Sequence, residues 1–305
     1  MTIAAGLILA TLSGIGWALA DALRKRLASQ LSALELAVSL HWAQLPFIGA
    51  LLVAGTWIDP DHPLTTIVSW HVEGPYWLAA APTIACNAAA NLLFVRALQL
   101  SDLSLTIPYL SLTPVLALAT GWLFVGEIPS TLGIAGVFVV GFGALVLNPG
   151  SSHHGLLGPL KALKSERGSL AMLGVACLWS ISVAFDKRAL SHSSALTHTT
   201  ILALSGGLIL EIVRRRTSQT SLITQISSVR GLLLATTGII TLALVVQLSA
   251  YQYIPIAYVE AVKRSLGLLG SVLLGWWVFK EGSLRQRLAG VVVMAMGVGL
   301  ILLNP

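Results

Sequence analysis

GWLFVGE at 121–127 returns as GWWVFKE at 275–281, and each copy runs through one further Gly-rich apolar segment to an Asn-Pro pair, Asn148-Pro149 and Asn304-Pro305. A second echo opens each half: Trp17 is followed by KRLAS at 25–29, and Trp179 by KRALS at 187–191. Both echoes recur after roughly 155 to 160 residues, about half the chain, as a duplicated unit does. In a membrane protein such a duplication points towards transport.

Composition places the chain in the bilayer. Of 305 residues, 56% are hydrophobic and only 10% charged, with a mean hydropathy of +0.85, whereas soluble domains are about a quarter charged. A water-soluble fold of this size cannot hide that much apolar surface, so the lipid bilayer is a partner. The net charge of +6 sits in short loops between apolar runs, which fits membrane orientation and not a nucleic-acid partner. Cys86 and Cys177 lie inside apolar segments and read as small packing residues, not as a disulfide framework. The seven histidines, His153-His154 among them, show no HExxH or carboxylate spacing for a metal site. No Gly-rich phosphate loop leads into Lys-Ser/Thr, so an ATP-driven pump is unsupported. The composition therefore implies neither an enzyme, a metal nor a cofactor.

Crossing a bilayer core of roughly 30 Å takes about 20 apolar residues. Stretches of that kind occur approximately at 3–23, 34–54, 77–97, 103–125, 130–148, 169–189, 195–213, 231–250, 256–279 and 287–303. The first has no positive charge before it and Arg24, Lys25 and Arg26 after it, the reverse of a signal peptide, so it reads as a retained helix. The expected fold is an all-α integral membrane protein of ten transmembrane helices. Its expected organisation is a first five-helix repeat at 1–150, a loop at 151–168 and a second five-helix repeat at 169–305. Five is odd, so the second copy enters the membrane from the opposite face, which makes an inverted-topology repeat.

Arg24, Lys25 and Arg26 share one side with Arg96, Lys161, Lys164, Arg167, Arg214, Arg215, Arg216, Arg230, Lys280, Arg285 and Arg287. The other side has only Lys187 and Arg188, and also the connection at 55–76 with Asp59, Asp61 and Glu73. The positive-inside rule then puts both termini outside the cytoplasm. The expected location is a multi-pass position in a bacterial inner membrane.

The pattern Gly14, Trp17 and Lys25, its copy Gly174, Trp179 and Lys187, and the run PVLALATGWLFVGE resemble the drug/metabolite transporter superfamily, and within it the EamA-type members. The resemblance covers nearly the whole chain. It implies an alternating-access carrier without ATP hydrolysis, a central cavity lined by both repeats, and the fifth and tenth helices as scaffold. Many relatives have cytoplasmic, basic termini, whereas these termini carry no Lys or Arg, so the family and the charge count point opposite ways on orientation.

Polar groups inside the spans are costly unless they face a cavity or a partner. The ninth span, YVEAVKRSLGLLG, holds Glu260, Lys263 and Arg264. Lys263 lies roughly 10 Å along this helix at a rise of 1.5 Å per residue. Glu260 precedes Lys263 by three and Arg264 by four, so both cations can neighbour it on one helical face. Either the cluster neutralises itself and pins the helix, or its excess positive charge receives an anionic substrate group, for which Arg offers a planar fork and Lys a point charge. The same stretch resembles the ninth helix of triose-phosphate and nucleotide-sugar translocators of the superfamily, a resemblance that assigns Lys263 and Arg264 to anion binding. Glu260 can alternatively carry a coupling proton.

Asn87 and Asn91, four apart among alanines, can point together into a cavity or bond between helices. Trp17 and Trp179 occupy equivalent places and can cap the cavity from opposite sides or simply pack. Tyr251, with Gln247, Ser249, Gln252 and Tyr253, can bind substrate or join an interfacial belt. His41 sits well inside the second span, as a titrating group or a helix contact. Asp21 with Arg24, and Asp186 with Lys187 and Arg188, read as interfacial anchors at helix ends. The glycines of the fifth and tenth spans read as close-packing faces.

The expectation is a secondary transporter of a small-molecule substrate, a polar or amphipathic metabolite with an anionic group such as an organic acid, amino acid or phosphorylated metabolite. A coupling proton or counter-substrate would accompany it. A proton-coupled exporter of cationic drugs using Glu260 is the alternative within transport, and a lipid flippase or membrane receptor the alternative outside it. The sequence leaves the oligomeric state open.

Overall fold

A computed structural model describes residues 3–59, 62, 64–100, 107–147, 167–217, 222, 226–279 and 284–303. The Asn-Pro ends, loop residues 151–166 with His153, His154, Lys161 and Lys164, and Lys280 with Glu281 lie outside the described residues. The first repeat contains α1 (Ile3–Leu27), α2 (Ala33–Trp42), α3 (Leu45–Gly55), a short α4 (Thr65–Val68), α5 (Tyr76–Leu100), α6 (Thr113–Thr120) and α7 (Thr131–Leu147). The second contains α8 (Arg167–Leu190), α9 (Ala195–Thr217), α10 (Arg230–Tyr251), α11 (Ile256–Phe279) and α12 (Leu284–Leu303). The fold is the expected all-helical, ten-span, two-repeat membrane architecture.

Six stretches are long and apolar enough to cross a bilayer among the described residues: Ile3–Arg24, Ala33–Gly55, Tyr76–Phe94, Arg167–Leu190, Ala195–Thr217 and Arg230–Tyr251. Their outward faces are apolar stripes. On α1 the exposed residues Ile8, Leu12, Ile15 and Leu19 recur at helical spacing, and Phe138 with Phe142 does the same on α7. Trp57, Trp70 and Trp77 are exposed around the 55–76 connection, where indoles suit the membrane–water boundary.

The second predicted span is not one helix. It breaks at Ala43 and Gln44 between α2 and α3 because Pro46, in the first turn of α3, has no N–H for the Trp42 carbonyl. The start of α2 is well fixed: the Ser32 hydroxyl accepts from the Glu35 N–H at 3.3 Å, and the Glu35 carboxylate accepts from the Ser32 N–H at 3.1 Å. The fourth span is likewise composite, a 3₁₀ turn (Ile107–Leu112), α6 and a π turn (Gly121–Val125). Pro114 leaves the Leu110 carbonyl without its helical donor, and the Thr113 hydroxyl supplies one at 2.6 Å.

The duplication is visible in the packing. α1 packs on α10 and α11, and its counterpart α8 packs on α5 and α6; α2 meets α9, and α7 meets α12. Each helix therefore contacts the other repeat in the way its copy does. α7 and α12 run antiparallel at backbone contact: a Cβ on Gly136 would come 2.6 Å from the Gly297 carbonyl, and one on Gly143 would come 3.0 Å from the Gly290 carbonyl. Antiparallel counterparts are what an inverted repeat requires.

A tighter constraint joins α7 to α11. A Cβ on Gly133 would fall 1.6 Å from the hydroxyl of the fully buried Tyr258. Gly133→Ala is therefore expected to destabilise the protein by about 1–3 kcal/mol through forced repacking. Thermal unfolding in detergent checks this, and an unchanged melt would count against the contact.

Candidate functional site

The site lies where α1 of the first repeat meets α10 and α11 of the second. A Cβ on Gly14 would come 3.2 Å from the Lys263 Cα, which sets Lys263 level with the middle of α1. Such depth suits a carrier site. Glu260 is 1% exposed. Its Oε1 accepts from Lys263 Nζ at 2.5 Å, from the Tyr251 hydroxyl at 2.7 Å and from Gln247 Nε2 at 3.3 Å. Gln247 Oε1 in turn accepts from Trp17 Nε1 at 2.6 Å. The Arg24 guanidinium lies 5.1 Å from the Trp17 ring and bonds Asp21 at 3.1 Å. One polar chain thus runs from Trp17 through Gln247 and Tyr251 to Glu260 and Lys263.

The two cations do not share Glu260 as the spacing allowed. Lys263 forms the ion pair, whereas Arg264 is half-buried and its buried Nε has no hydrogen-bond partner among the described residues. An unpartnered guanidinium donor is costly unless something else receives it, so the excess positive charge lies at Arg264.

The other predicted residues divide. Tyr251 and Trp17 belong to the site, with Gln247 between them. Asn87 and Asn91 do not converge on it: Asn87 Nδ2 donates to Ser182 Oγ at 2.6 Å across the α5–α8 contact, and Asn91 Nδ2 turns back to the Asn87 carbonyl at 2.8 Å. Trp179 packs against Phe94 with ring centroids 5.9 Å apart. Around it are Met172, Tyr109 and Leu110 in one apolar cluster. In the register set by the Gly-Trp motif, Tyr109 and Leu110 are the counterparts of Lys263 and Arg264, so the mirror-image junction is apolar where this one is charged. His41 is a helix contact: its Nδ1 donates to the Ala37 carbonyl at 2.8 Å, and its ring lies against Gly206 and Gly207 on α9.

Asp21 is half-exposed near the end of α1, as a boundary anchor is. Asp186 is not an anchor, because α5 and α9 close over it and leave it 6% exposed. Thr83 donates to its Oδ1 at 2.5 Å and His198 Nε2 lies 3.0 Å away. Its neighbour Lys187 also turns inward. Lys187 Nζ bonds Glu127 Oε1 at 2.5 Å and the Ile254 carbonyl at 3.0 Å, while Glu127 Oε2 accepts the Ile256 N–H at 3.0 Å. Glu127 thereby caps the start of α11 and ties the first repeat to two helices of the second. Gly126 makes this possible, since its φ of 79° turns the chain back after the π turn.

Residues 4–148 and again 166–303 match the EamA-like transporter family. No curated protein sequence matches the chain. Among solved structures, one crystal structure, described only as that of a protein, has 14% sequence identity and a TM-score of 0.73, covering 99% of this chain and 98% of that one. That likeness concerns the fold. With two matches that together span nearly every residue, the chain belongs to the EamA-like transporter family.

Proposed function

We propose that the protein is an alternating-access carrier of a small metabolite bearing an anionic group, and that this group docks on Arg264 beside the Lys263–Glu260 pair. The two five-helix units, 1–150 and 169–305, would move against each other around that site. The observation that carries the reading is the Arg264 Nε, buried and without a hydrogen-bond partner among the described residues, beside a carboxylate that already has its cation. Trp17 offers an aromatic face for the rest of the metabolite, while its Nε1–H, the Gln247 amide and the Tyr251 hydroxyl are spent on holding Glu260 in place. A cationic substrate is disfavoured because it would have to displace Lys263 from Glu260. The Lys/Arg-rich helix ends are assigned to the cytoplasm of a bacterial inner membrane, with both termini outside; a C-terminal reporter active only in the cytoplasm and giving strong signal would reverse that assignment.

Counterflow in proteoliposomes with malate, glutamate and glycerol 3-phosphate against a panel of organic cations tests the substrate class. Arg264→Ala is expected to reduce anion flux by about ten- to a hundredfold, the loss of a hydrogen bond to a charged group at about 1.5–3 kcal/mol. Normal anion flux in that variant, or flux of cations only, sinks the proposal.

A further inference from the structure

A second buried polar cluster lies outside the anion site, around Asp186 where α8 meets α5 and α9. Tyr76 on α5 and His198 on α9 are fully buried. The Tyr76 hydroxyl lies 2.8 Å from His198 Nδ1, and His198 Nε2 lies 3.0 Å from Asp186 Oδ1. From the other side, Asn87 Nδ2 donates to Ser182 Oγ at 2.6 Å, Ser182 and Thr83 share a hydrogen bond at 2.6 Å, and Thr83 donates to Asp186 Oδ1 at 2.5 Å. With Asp186 ionised and His198 neutral, donor capacity sets the directions. The Thr83 proton goes to Asp186, so Ser182 donates to Thr83; a neutral His198 gives its Nε2–H to Asp186 and receives the Tyr76 proton at Nδ1. All the protons of the network point towards one carboxylate.

This carboxylate is poorly compensated. Among the described residues His198 is its one partner at ion-pair distance, and Lys187 beside it is committed to Glu127. The titratable groups facing it are His198 from α9, Tyr76 and Cys86 from α5, and Tyr251 from α10, the last three within electrostatic reach of Asp186. A strap joins the segment ahead of Tyr76 to the start of α9. The Ser194 and Thr197 hydroxyls donate to the Ser69 carbonyl, the His71 N–H donates to Thr197, and Val72 pairs with Ser193. The exposed pair His192–Glu73, 2.9 Å apart, ends that strap three residues before Tyr76.

Two features tie this group to transport. Thr83, Tyr76 and Asn87 belong to the first repeat, and Ser182, Asp186 and His198 to the second, so the bonds to this carboxylate bridge the repeat boundary. Tyr251 donates to Glu260 and also feels the charge of Asp186, which links the cluster electrostatically to the anion site.

We propose that Asp186 is the proton-binding group of this carrier, that His198 and Tyr76 relay protons to it from the face bearing Glu73 and His192, and that proton and anion bind cooperatively. The inference rests on the anion-carrier reading. The sign follows from charge: a proton on Asp186 removes a negative charge near the anion site, so anions bind more tightly as pH falls, and by linkage the anion favours the protonated state. Asp186→Asn mimics the protonated group.

The test uses proteoliposomes and the best-carried probe among malate, glutamate and glycerol 3-phosphate. Wild type is expected to show counterflow at equal pH and accumulation under an imposed acid-outside gradient. Asp186→Asn is expected to keep counterflow within about threefold, because exchange requires no net proton movement, and to lose at least tenfold in gradient-driven accumulation. Accumulation at the wild-type level in that variant overturns the proposal. So does a wild type with counterflow that a pH gradient does not drive, an outcome that leaves the carrier reading standing. Absence of counterflow in wild type for all three probes instead defeats the carrier reading. If Asp186→Asn does not fold, Tyr76→Phe cuts the relay while sparing the carboxylate. The rate of gradient-driven accumulation must then fall while counterflow at equal pH is kept, and an unchanged rate overturns the assignment.

Discussion

Glu260→Ala is expected to lower the unfolding free energy in detergent by about 3–5 kcal/mol, the cost of removing one partner of a buried ion pair. Three donors converge on this one carboxylate oxygen from two helices, and all three lose their acceptor together. The Lys263 side chain is only 17% exposed, so water cannot fully replace the lost anion. The pair itself has a smaller net effect than either deletion suggests, because desolvating both charges offsets most of their attraction. Replacing both, as Glu260→Leu with Lys263→Met, is therefore expected to recover most of the stability while anion flux stays low. A double-mutant cycle by thermal unfolding decides it. If Glu260→Ala melts with the wild type, the charge is not held as described.

The second large effect is expected at Glu127. Together with Lys187 it ties the first repeat to α8 and to the start of α11, through charge-assisted bonds to a side chain and a backbone N–H, and on the alternating-access reading it would hold that face shut. Glu127→Gln weakens the first bond and Lys187→Met removes it, each leaving the packing of Gly121 against Ile256 intact. With about 1.5–3 kcal/mol attached to such a bond, the population open to that face should rise by about ten- to a hundredfold. A cysteine at the buried position Ala257, in a background with Cys86 and Cys177 replaced by serine, reports the opening through its rate of reaction with a membrane-impermeant maleimide. Equal rates with and without Glu127 would show that this bond does not close the face.

The spans were legible in the sequence because a bilayer imposes their length, and the duplication was legible because a Gly-Trp-to-Glu run of one pattern and a Trp-to-Lys-Arg run both recur half a chain later. The break at Ala43 was not legible from apolar length, although Pro46 carried the signal. Spacing brought Lys263 and Arg264 equally close to Glu260. Their division depends on side-chain rotamers at the packed α1–α11 junction, where Gly14 lets the backbones approach, and that is a property of two helices far apart in sequence. Asp186 shows the same limit more sharply. A carboxylate four residues from a helix end has the same local sequence whether it faces water or protein, and here Thr83 and His198, on two other helices, bury it. Glu127 was visible as a repeated letter of the motif, but its role required knowing that Gly126 turns the chain back towards Lys187 and Ile256.

The glycine contact between α7 and α12 has a mechanical consequence. With Gly136 facing Gly297 and Gly143 facing Gly290, the two backbones touch with no side chains between them, and Met294 and Ile301 fill in beside them. Close-packed interiors resist separation far more than rotation about a line of contact. Any swing of one half against the other must therefore turn about this line as its fulcrum, and displacement grows with distance from it. α11, which carries Glu260, is held against α7 by Tyr258 and so lies close to that line, whereas helices farther from it would travel further for the same few degrees of turning.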